Sequence, residues 1–520
     1  MDSLRALEQQ VLDDLPAAFD DEHMSSEVLG PRISLCLAHP SAFERLHAAL
    51  QHRLLVKTTA IAKAKSRVFA EVLADVSVDD VEEHGVTALP TTERAVYEAP
   101  QAELCLDDRT FELCTFTSGS TTGRSLIIYR STEEQQYLAD LILEIEAAGA
   151  PDETPTTDAD APLLSLGLIR TNPHGTVMFV SPETGQTVLA PYETDQDHLQ
   201  AERLLATPYY THGADAAAGR PRWIRRLAAP TFDVARFTGL LVHHGQTELA
   251  DKVQSVEFTG RLLTRREDRM LRRVWHNAQV VNVFSMSELF SGCRYCELCE
   301  AFHFDPYVLY EVLDVDSLEP LKSGRGLLAV TGLYPFNQMT PFVRYLNGDV
   351  VDVWRSDCPL GPRTFRPLGR FKRSVRVPGL ADEGAAAGDA LLCPGDVVDA
   401  LDELPDVRRS SVPGMSAPER AEWGWLPLFE LHADEEGAHL ELELRYDPAM
   451  FPERTAEVVR ALRVAIVAAR PRFGAALDHG ALRIVPRGPG ALTGTAGTDA
   501  ARRRQGLLND PLGIGGLPLD

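Results

Sequence analysis

The chain has 520 residues, of which 44% are hydrophobic and 24% charged, enough apolar material for a large core shared between two or more domains. A net charge of −25 argues against nucleic acid or an anionic membrane as the main partner, while leaving room for an anionic nucleotide in a local pocket. No apolar run reaches the length of a membrane span and the first residues lack a signal-peptide core, so a cytoplasmic protein is expected.

In chain order, residues 1–75 read as helical, with Leu4, Leu7, Val11, Leu12 and Leu15 at helical spacing. From about residue 110, β-rich runs alternate with helical stretches. Ser125–Tyr129 precedes a helix over 132–148, and a basic helical segment, Arg261–His276, precedes the strand Val280–Phe284. This alternation predicts an α/β fold with a large N-terminal domain of layered sheets and helices. Residues 150–162 form an acidic, Pro/Thr-rich loop. A boundary falls near 370–390, where Gly369-Arg370-Phe371-Lys372 leads through Pro378-Gly379 into an Ala/Gly/Asp-rich stretch. Beyond it the pattern predicts a small α+β module. It comprises a helix over 395–403, strands over 426–433 and 438–445 facing across a turn, a long helix over 452–470 and a strand over 481–485. The tail after 487 is rich in Gly, Thr and Arg.

Chemistry concentrates in a few places. Thr117, Ser118, Ser120, Thr121 and Thr122 crowd five hydroxyls around Gly119 and Gly123. Glycines let a backbone approach a phosphate, and turn amides with hydroxyls supply neutral donors that grip it. Further on stand Ser287-Glu288, then Asn347-Gly348-Asp349, then Gly369-Arg370. Cys293, Cys296 and Cys299 recur at intervals of three with His303 four residues on; eight cysteines in so long a chain are not a disulfide framework. Soft thiolates with one imidazole suit tetrahedral Zn²⁺ in a structural role, with packed reduced cysteines as the plainer reading.

The order of these motifs resembles the adenylate-forming superfamily, and within it the phenylacetate-CoA ligases and the acyl-protein synthetases of bioluminescence. Thr117–Arg124 looks like that family's phosphate loop, and Val283–Glu288 resembles its Tyr-Gly-x-Thr/Ser-Glu motif. Gly326–Asp349 is similar to the stretch closing in Arg-Tyr-x-Thr-Gly-Asp, and Cys358–Arg370 to its Cys-Pro-x-Gly…Gly-Arg segment. Thr259-Gly260-Arg261 resembles the turn lining the adenine site, with Arg261 a poor match. The resemblance implies a large nucleotide- and acyl-binding domain (1–370), a small lid domain (371–510) and a tail (511–520). It implies ATP and Mg²⁺ as cofactors, with Glu288 helping to hold the metal, Asp349 accepting from the ribose hydroxyls, Arg370 beside them, and Lys372 as the hinge of the lid. The activity implied is adenylation of a small carboxylic acid followed by acyl transfer to CoA, a carrier protein or an amine, in a biosynthetic setting. Candidate acyl-pocket walls are Leu166–Gly175, Thr207–Gly213 and Leu241–Gly245, whose aromatic and His content suits an aromatic or short polar acid.

By the same resemblance the zinc ligands would be Cys296, Cys299, His303 and Cys358, with Cys293 spare or substituting; the family's second downstream cysteine is Leu360 here. The sequence departs from the family elsewhere too. The loop ends Gly123-Arg124-Ser125 in place of Gly-Lys-Pro, and Thr498 stands where the lid domain carries its reactive lysine, with Arg502, Arg503 and Arg504 the nearby cations. That loss points to two alternatives: a degenerate ligase scaffold serving as a nucleotide- or acyl-binding partner protein, or an acyl-protein synthetase.

Overall fold

A computed structural model describes residues 2–18, 24–106, 110–117, 126–149, 164–169, 187–192, 195–209, 222–380, 387–409 and 426–492. The hydroxyl-rich loop from Ser118 to Ser125, the acidic loop 150–162, Thr498 and Arg502–Arg504 all lie outside them.

Among the described residues an eleven-stranded mixed sheet runs through the molecule. Its order is Val308–Leu313, Gly324–Gly332, Tyr345–Arg355, Arg363–Arg370, Ala301–His303, Cys293–Cys296, Gln279–Phe284, Ser255–Thr259, Arg226–Pro230, Ser165–Ile169 and Thr187–Pro191. The last five strands are parallel, as strands joined by helices must be; the first six and their junction with Gln279–Phe284 are antiparallel, as hairpin-linked strands allow. The junction therefore falls at Gln279–Phe284, which pairs parallel on one side and antiparallel on the other. In open α/β sheets ligands collect outside the carboxyl ends of parallel strands, where the connections part.

Each half buries its own core. Helices Asp195–Ala206, Thr231–His243 and Arg265–Val274 pack on the parallel half around Leu166, Leu227, Phe237, Phe258 and Trp275. The N-terminal helices, among them Ser26–Ala38, Glu44–Lys65 and Arg67–Val72, cover the antiparallel half around Leu46, Leu50, Phe69, Val330, Phe342 and Phe365. Local signals set the helix starts: Ser66 caps the Phe69 amide, and Thr264 with Glu267 forms a capping box.

A third cluster, Val375, Leu392, Val397, Leu401, Leu440, Leu442, Leu462 and Phe473, belongs mainly to the C-terminal part. There Phe429–Asp434 pairs antiparallel with Gly437–Glu443, which pairs parallel with Leu482–Arg487; helices Pro394–Glu403, Pro452–Ala469 and Phe473–His479 complete it. The periodicity predicts all of these except the seven-residue Phe473–His479 helix and the two-residue strands Val375–Arg376 and Leu391–Leu392, which are too short to carry a period. Arg325, on a strand of the large sheet, is buried and donates to Asp352, to both oxygens of Asp396 at 2.7 and 2.8 Å, and to the Leu391 carbonyl at 2.6 Å. Removing one partner of such a buried pair costs about 3–5 kcal/mol, so this cluster strongly ties the C-terminal part to the sheet.

Candidate active site

A cavity of about 660 Å³ opens at the junction of the two half-sheets, the size range of small-molecule sites. Three parallel strands deliver their carboxyl ends to it: Pro230 and Thr231, then Thr259 and Gly260, then Ser285, Met286, Ser287 and Glu288 in the turn after Gln279–Phe284. Asn347, Asp349 and Arg370 reach it from the antiparallel half. The helix Pro394–Glu403 of the C-terminal part closes one side with Gly395, Val398 and Asp399.

The register explains the polar core of this cavity. Asp349 and Arg370 are direct cross-strand partners, so their side chains lie together, with Arg370 Nε 3.3 Å from Asp349 Oδ1. Arg370 also donates to the Asn347 carbonyl at 2.5 Å, and the Asn347 side-chain amide donates to Asp349 Oδ2 at 2.8 Å. Gly348, at φ +84°, turns the chain between them as a residue without Cβ can. Burial raises the Asp349 carboxyl above its ordinary value, and Arg370 with Asn347 opposes the rise. Burial likewise raises Glu288, again opposed by Arg370.

Glu288 is held from behind. Arg130, buried on the strand Ile127–Arg130, donates to the Ser287 and Glu288 carbonyls at 3.2 and 3.0 Å, to Asn337 Oδ1 at 2.8 Å, and to buried Glu134. Glu134 in turn accepts from the backbone amides of Gln338 and Met339 at 3.2 and 3.0 Å. The sequence offers no sign of this clamp, because its members are spread from residue 130 to residue 339.

Of the hydroxyl-rich motif, Thr117 is described. Its amide donates to the Leu126 carbonyl at 3.0 Å and its Oγ1 accepts from the Leu126 amide at 2.8 Å. The two ends of the 118–125 loop are thus pinned together at the cavity, which Thr117 lines. Gly260 takes φ +107° in the cavity wall. Arg261, the poor match in its motif, is spent on structure: it donates to both Glu267 oxygens at 2.6 and 2.7 Å.

Lys372 does not line the cavity; it stands exposed in the 3-10 turn Phe371–Arg373, directly after the strand that carries Arg370. Gly369 just before it has φ +110°, and a Cβ there would meet Pro394 Cγ at 3.2 Å, so this position also requires glycine. One expectation about the acyl walls changes. Leu241–Gly245 lies at the far end of the helix whose first residue, Thr231, lines the cavity, about 20 Å away at 1.5 Å per residue. Most of Leu166–Gly175 and Thr207–Gly213 falls outside the described residues. The apolar lining includes Leu262, Leu263, Val283, Phe284, Met286, Tyr295 and Phe302. A basic helix face also borders the cavity: Arg265, Arg269 and Arg272, each ion-paired, two of them to Asp399 and Glu403 of the closing helix.

The cysteine cluster is a separate centre. The strands Cys293–Cys296 and Ala301–His303 pair antiparallel, and His303 lies opposite Thr364 on the strand that follows Cys358. This brings Cys296, Cys299, His303 and Cys358 together, with all four ligand atoms within 4.8 Å of one another. Cys296 Sγ is 3.7 Å from Cys358 Sγ and Cys299 Sγ is 3.3 Å from His303 Nε2. Tetrahedral Zn–S bonds of about 2.3 Å imply S···S edges of about 3.8 Å, so the spacing and the donor chemistry both fit zinc. Burial holds His303 below its usual value, as the neutral imidazole a metal needs; for Cys296, burial is outweighed by the amides of Cys299 and Leu298, which bring the thiol below its ordinary value. Cys293, considered as a substitute ligand, is spoken for: it is fully buried, 3.3 Å from Asp305 Oδ2 and 3.2 Å from the Tyr310 hydroxyl.

No protein-family model matches the chain and no curated protein sequence is detectably similar to it. Solved structures do match. An open conformation of 2-hydroxyisobutyryl-CoA ligase, in complex with its acyl-AMP and CoA, aligns at TM-score 0.58 and 12% identity over 88% of this chain and 90% of that one. The same ligase in its postadenylation state aligns at 0.57 and 10% identity over 88% of each chain, and in its thioesterification state at 0.50 and 13% identity over 88% of each. The fold is therefore that of 2-hydroxyisobutyryl-CoA ligase, consistent with the fold that the order of motifs implies.

Proposed function

We propose that this protein activates a small carboxylic acid with ATP and passes the acyl group to a thiol, of which CoA is the first choice. The observation that carries the reading is the convergence of Glu288, Asp349, Arg370, Gly260 and Thr117 on one cavity from five separate segments. The ligase of similar fold, seen with its acyl-AMP and CoA, supports the same sequence of steps. In the first step the substrate carboxylate oxygen attacks the α-phosphorus, a C(O)–O–P bond forms, and the bond to the β-phosphate oxygen breaks, releasing pyrophosphate. In the second the thiol sulfur attacks the acyl carbon, AMP leaves with the bonding pair, and the thiol proton is lost.

The residues divide this work. Asp349, kept in place by Arg370 and Asn347, accepts from the ribose hydroxyls. Arg370, paired with Asp349, supports the ribose pocket or neutralises the α-phosphate. Glu288 would help to hold Mg²⁺, which would supply positive charge to neutralise the phosphates. Gly260 lets the base approach the backbone, and the 118–125 loop grips the β- and γ-phosphates from its pinned base at Thr117. The C-terminal part, 371–510, acts as a lid turning about Lys372, a motion that separates Arg325 from Asp396 and the Leu391 carbonyl, and Cys296, Cys299, His303 and Cys358 would hold a structural zinc. The Phe284, Tyr295 and Phe302 lining favours an aromatic or short acid over a long alkyl chain.

Pyrophosphate exchange with Mg-ATP over a panel of aromatic and aliphatic acids tests the first step, and CoA-dependent release of AMP tests the second. Acid-dependent exchange, with Lys372→Ala slowing CoA transfer while sparing exchange, is the expected result. Nucleotide binding without exchange for any acid would favour the repurposed scaffold, and exchange with transfer only to a partner protein would favour the acyl-protein synthetase.

A further inference from the structure

A second group of metal-ligating side chains lies away from both centres. His198 and Glu202 are four residues apart on the helix Asp195–Ala206 and so share one face. His244, the residue that caps the C-terminus of the helix Thr231–His243, meets that face from the side. Glu202 Oε1 lies 2.9 Å from His198 Nε2 and 2.9 Å from His244 Nδ1, and the three ligand atoms are all within 4.8 Å of one another. The His198 and Glu202 side chains are 1% and 12% exposed, and that of His244 is 32% exposed. Behind them the Tyr192 hydroxyl sits 2.9 Å from His198 Nδ1.

This is the donor set of a three-ligand divalent site, two imidazoles and a carboxylate, with an outer hydrogen-bond partner that fixes one imidazole's orientation. Without a cation, each imidazole donates its proton to Glu202, which draws the three groups together. With one, the proton of His198 would sit on Nδ1 and be donated to the Tyr192 oxygen, so the ligand stays neutral while coordination replaces the two imidazole–Glu202 hydrogen bonds. Glu202 gives the site one formal negative charge to set against the ion.

We infer that His198, Glu202 and His244 bind one divalent cation of the zinc class, with a water-filled fourth position, joining the helix Asp195–Ala206 to the end of the helix Thr231–His243. The site sits at the far end of the latter helix from the nucleotide cavity, about 20 Å away by helix length. Its existence is therefore independent of the proposed ligase activity.

The test is zinc stoichiometry. The full-length chain without an affinity tag is stripped with chelator, reloaded with Zn²⁺, dialysed, and its metal measured by mass spectrometry. His244→Ala, at a part-exposed position, should retain one equivalent fewer than wild type while keeping its circular dichroism; isosteric Glu202→Gln should weaken the same equivalent at least about tenfold. Cobalt titration separates the centres: the Cys296/Cys358 centre shows thiolate charge transfer, and the equivalent lost in His244→Ala shows none. A second histidine group on the C-terminal hairpin, His432, Asp434 and His439, is the control. Equal retention by wild type and His244→Ala, or loss of the thiolate-free equivalent in His432→Ala with His244→Ala unaffected, would overturn the inference.

Discussion

The cysteine cluster and the cavity at the sheet junction are each built from about four chemistry-bearing side chains, yet those side chains face in opposite senses. In the cluster, Cys296, Cys299, His303 and Cys358 converge, with their ligand atoms within 4.8 Å of one another. In the cavity, Glu288, Asp349 and Arg370 surround about 660 Å³ of open volume, and only Asp349 and Arg370 satisfy each other directly. Donors that close on themselves hold a fold together. Donors arranged around a void, with carboxyls raised by burial, have kept part of their bonding capacity for something that enters.

That contrast can be broken experimentally. The largest effect should come from Glu288→Ala, which is expected to lower pyrophosphate exchange about 10²–10³-fold, the usual result of deleting a group that stabilises transition-state charge. Its unfolding midpoint should stay near wild type; a large stability loss would make Glu288 a structural residue like the cysteines. The reverse pattern is expected of Cys358→Ser, which should release the metal and cost on the order of 3 kcal/mol in denaturant unfolding, while the folded fraction retains exchange. If Cys358→Ser kept its stability, the cluster would be packed thiols and the comparison would fail on that side.

Smaller effects sharpen the same line. Asp349→Asn keeps the shape but loses the charge proposed to accept from ribose, and should raise the KM for ATP by about tenfold, near the 1.5 kcal/mol typical of a hydrogen bond to a charged group. The mildest prediction concerns pH. Because the folded-state pKa values of Glu288 and Asp349 are raised, their ionised forms appear only above the ordinary carboxylate range of about 4. Exchange should be full at neutral pH and fall on acidification with a midpoint above that range. The same shifts make these two carboxyls cost the unliganded protein stability as pH rises through their folded values, so nucleotide with Mg²⁺ should raise the unfolding temperature more at pH 7 than at pH 5.

The two centres also differ in how much of them could be read from residue order. Cys296, Cys299 and His303 lie within eight positions, and a single hairpin brings them together, so their spacing already carries most of the geometry. The motif order likewise picked out Gly260, Ser287, Glu288, Asp349 and Arg370, which share one cavity: Gly260 and Arg370 lie at strand ends, Ser287 and Glu288 in the turn after a strand, and Asp349 faces Arg370 across the sheet. Helical and strand periods marked most elements, from the N-terminal helices to the Phe429–Glu443 hairpin, because amphipathic faces are written at fixed intervals along the chain. Tertiary structure alone decided the rest: that Cys293 serves Asp305 and Tyr310 in place of a metal, that Arg130 clamps the Glu288 turn, that His243 and His244 stand a helix length from the cavity, and that His244 meets His198 and Glu202. Those pairings join residues tens to hundreds of positions apart. No local period encodes them, and only the packing of whole elements into one sheet sets which distant side chains share a desolvated site.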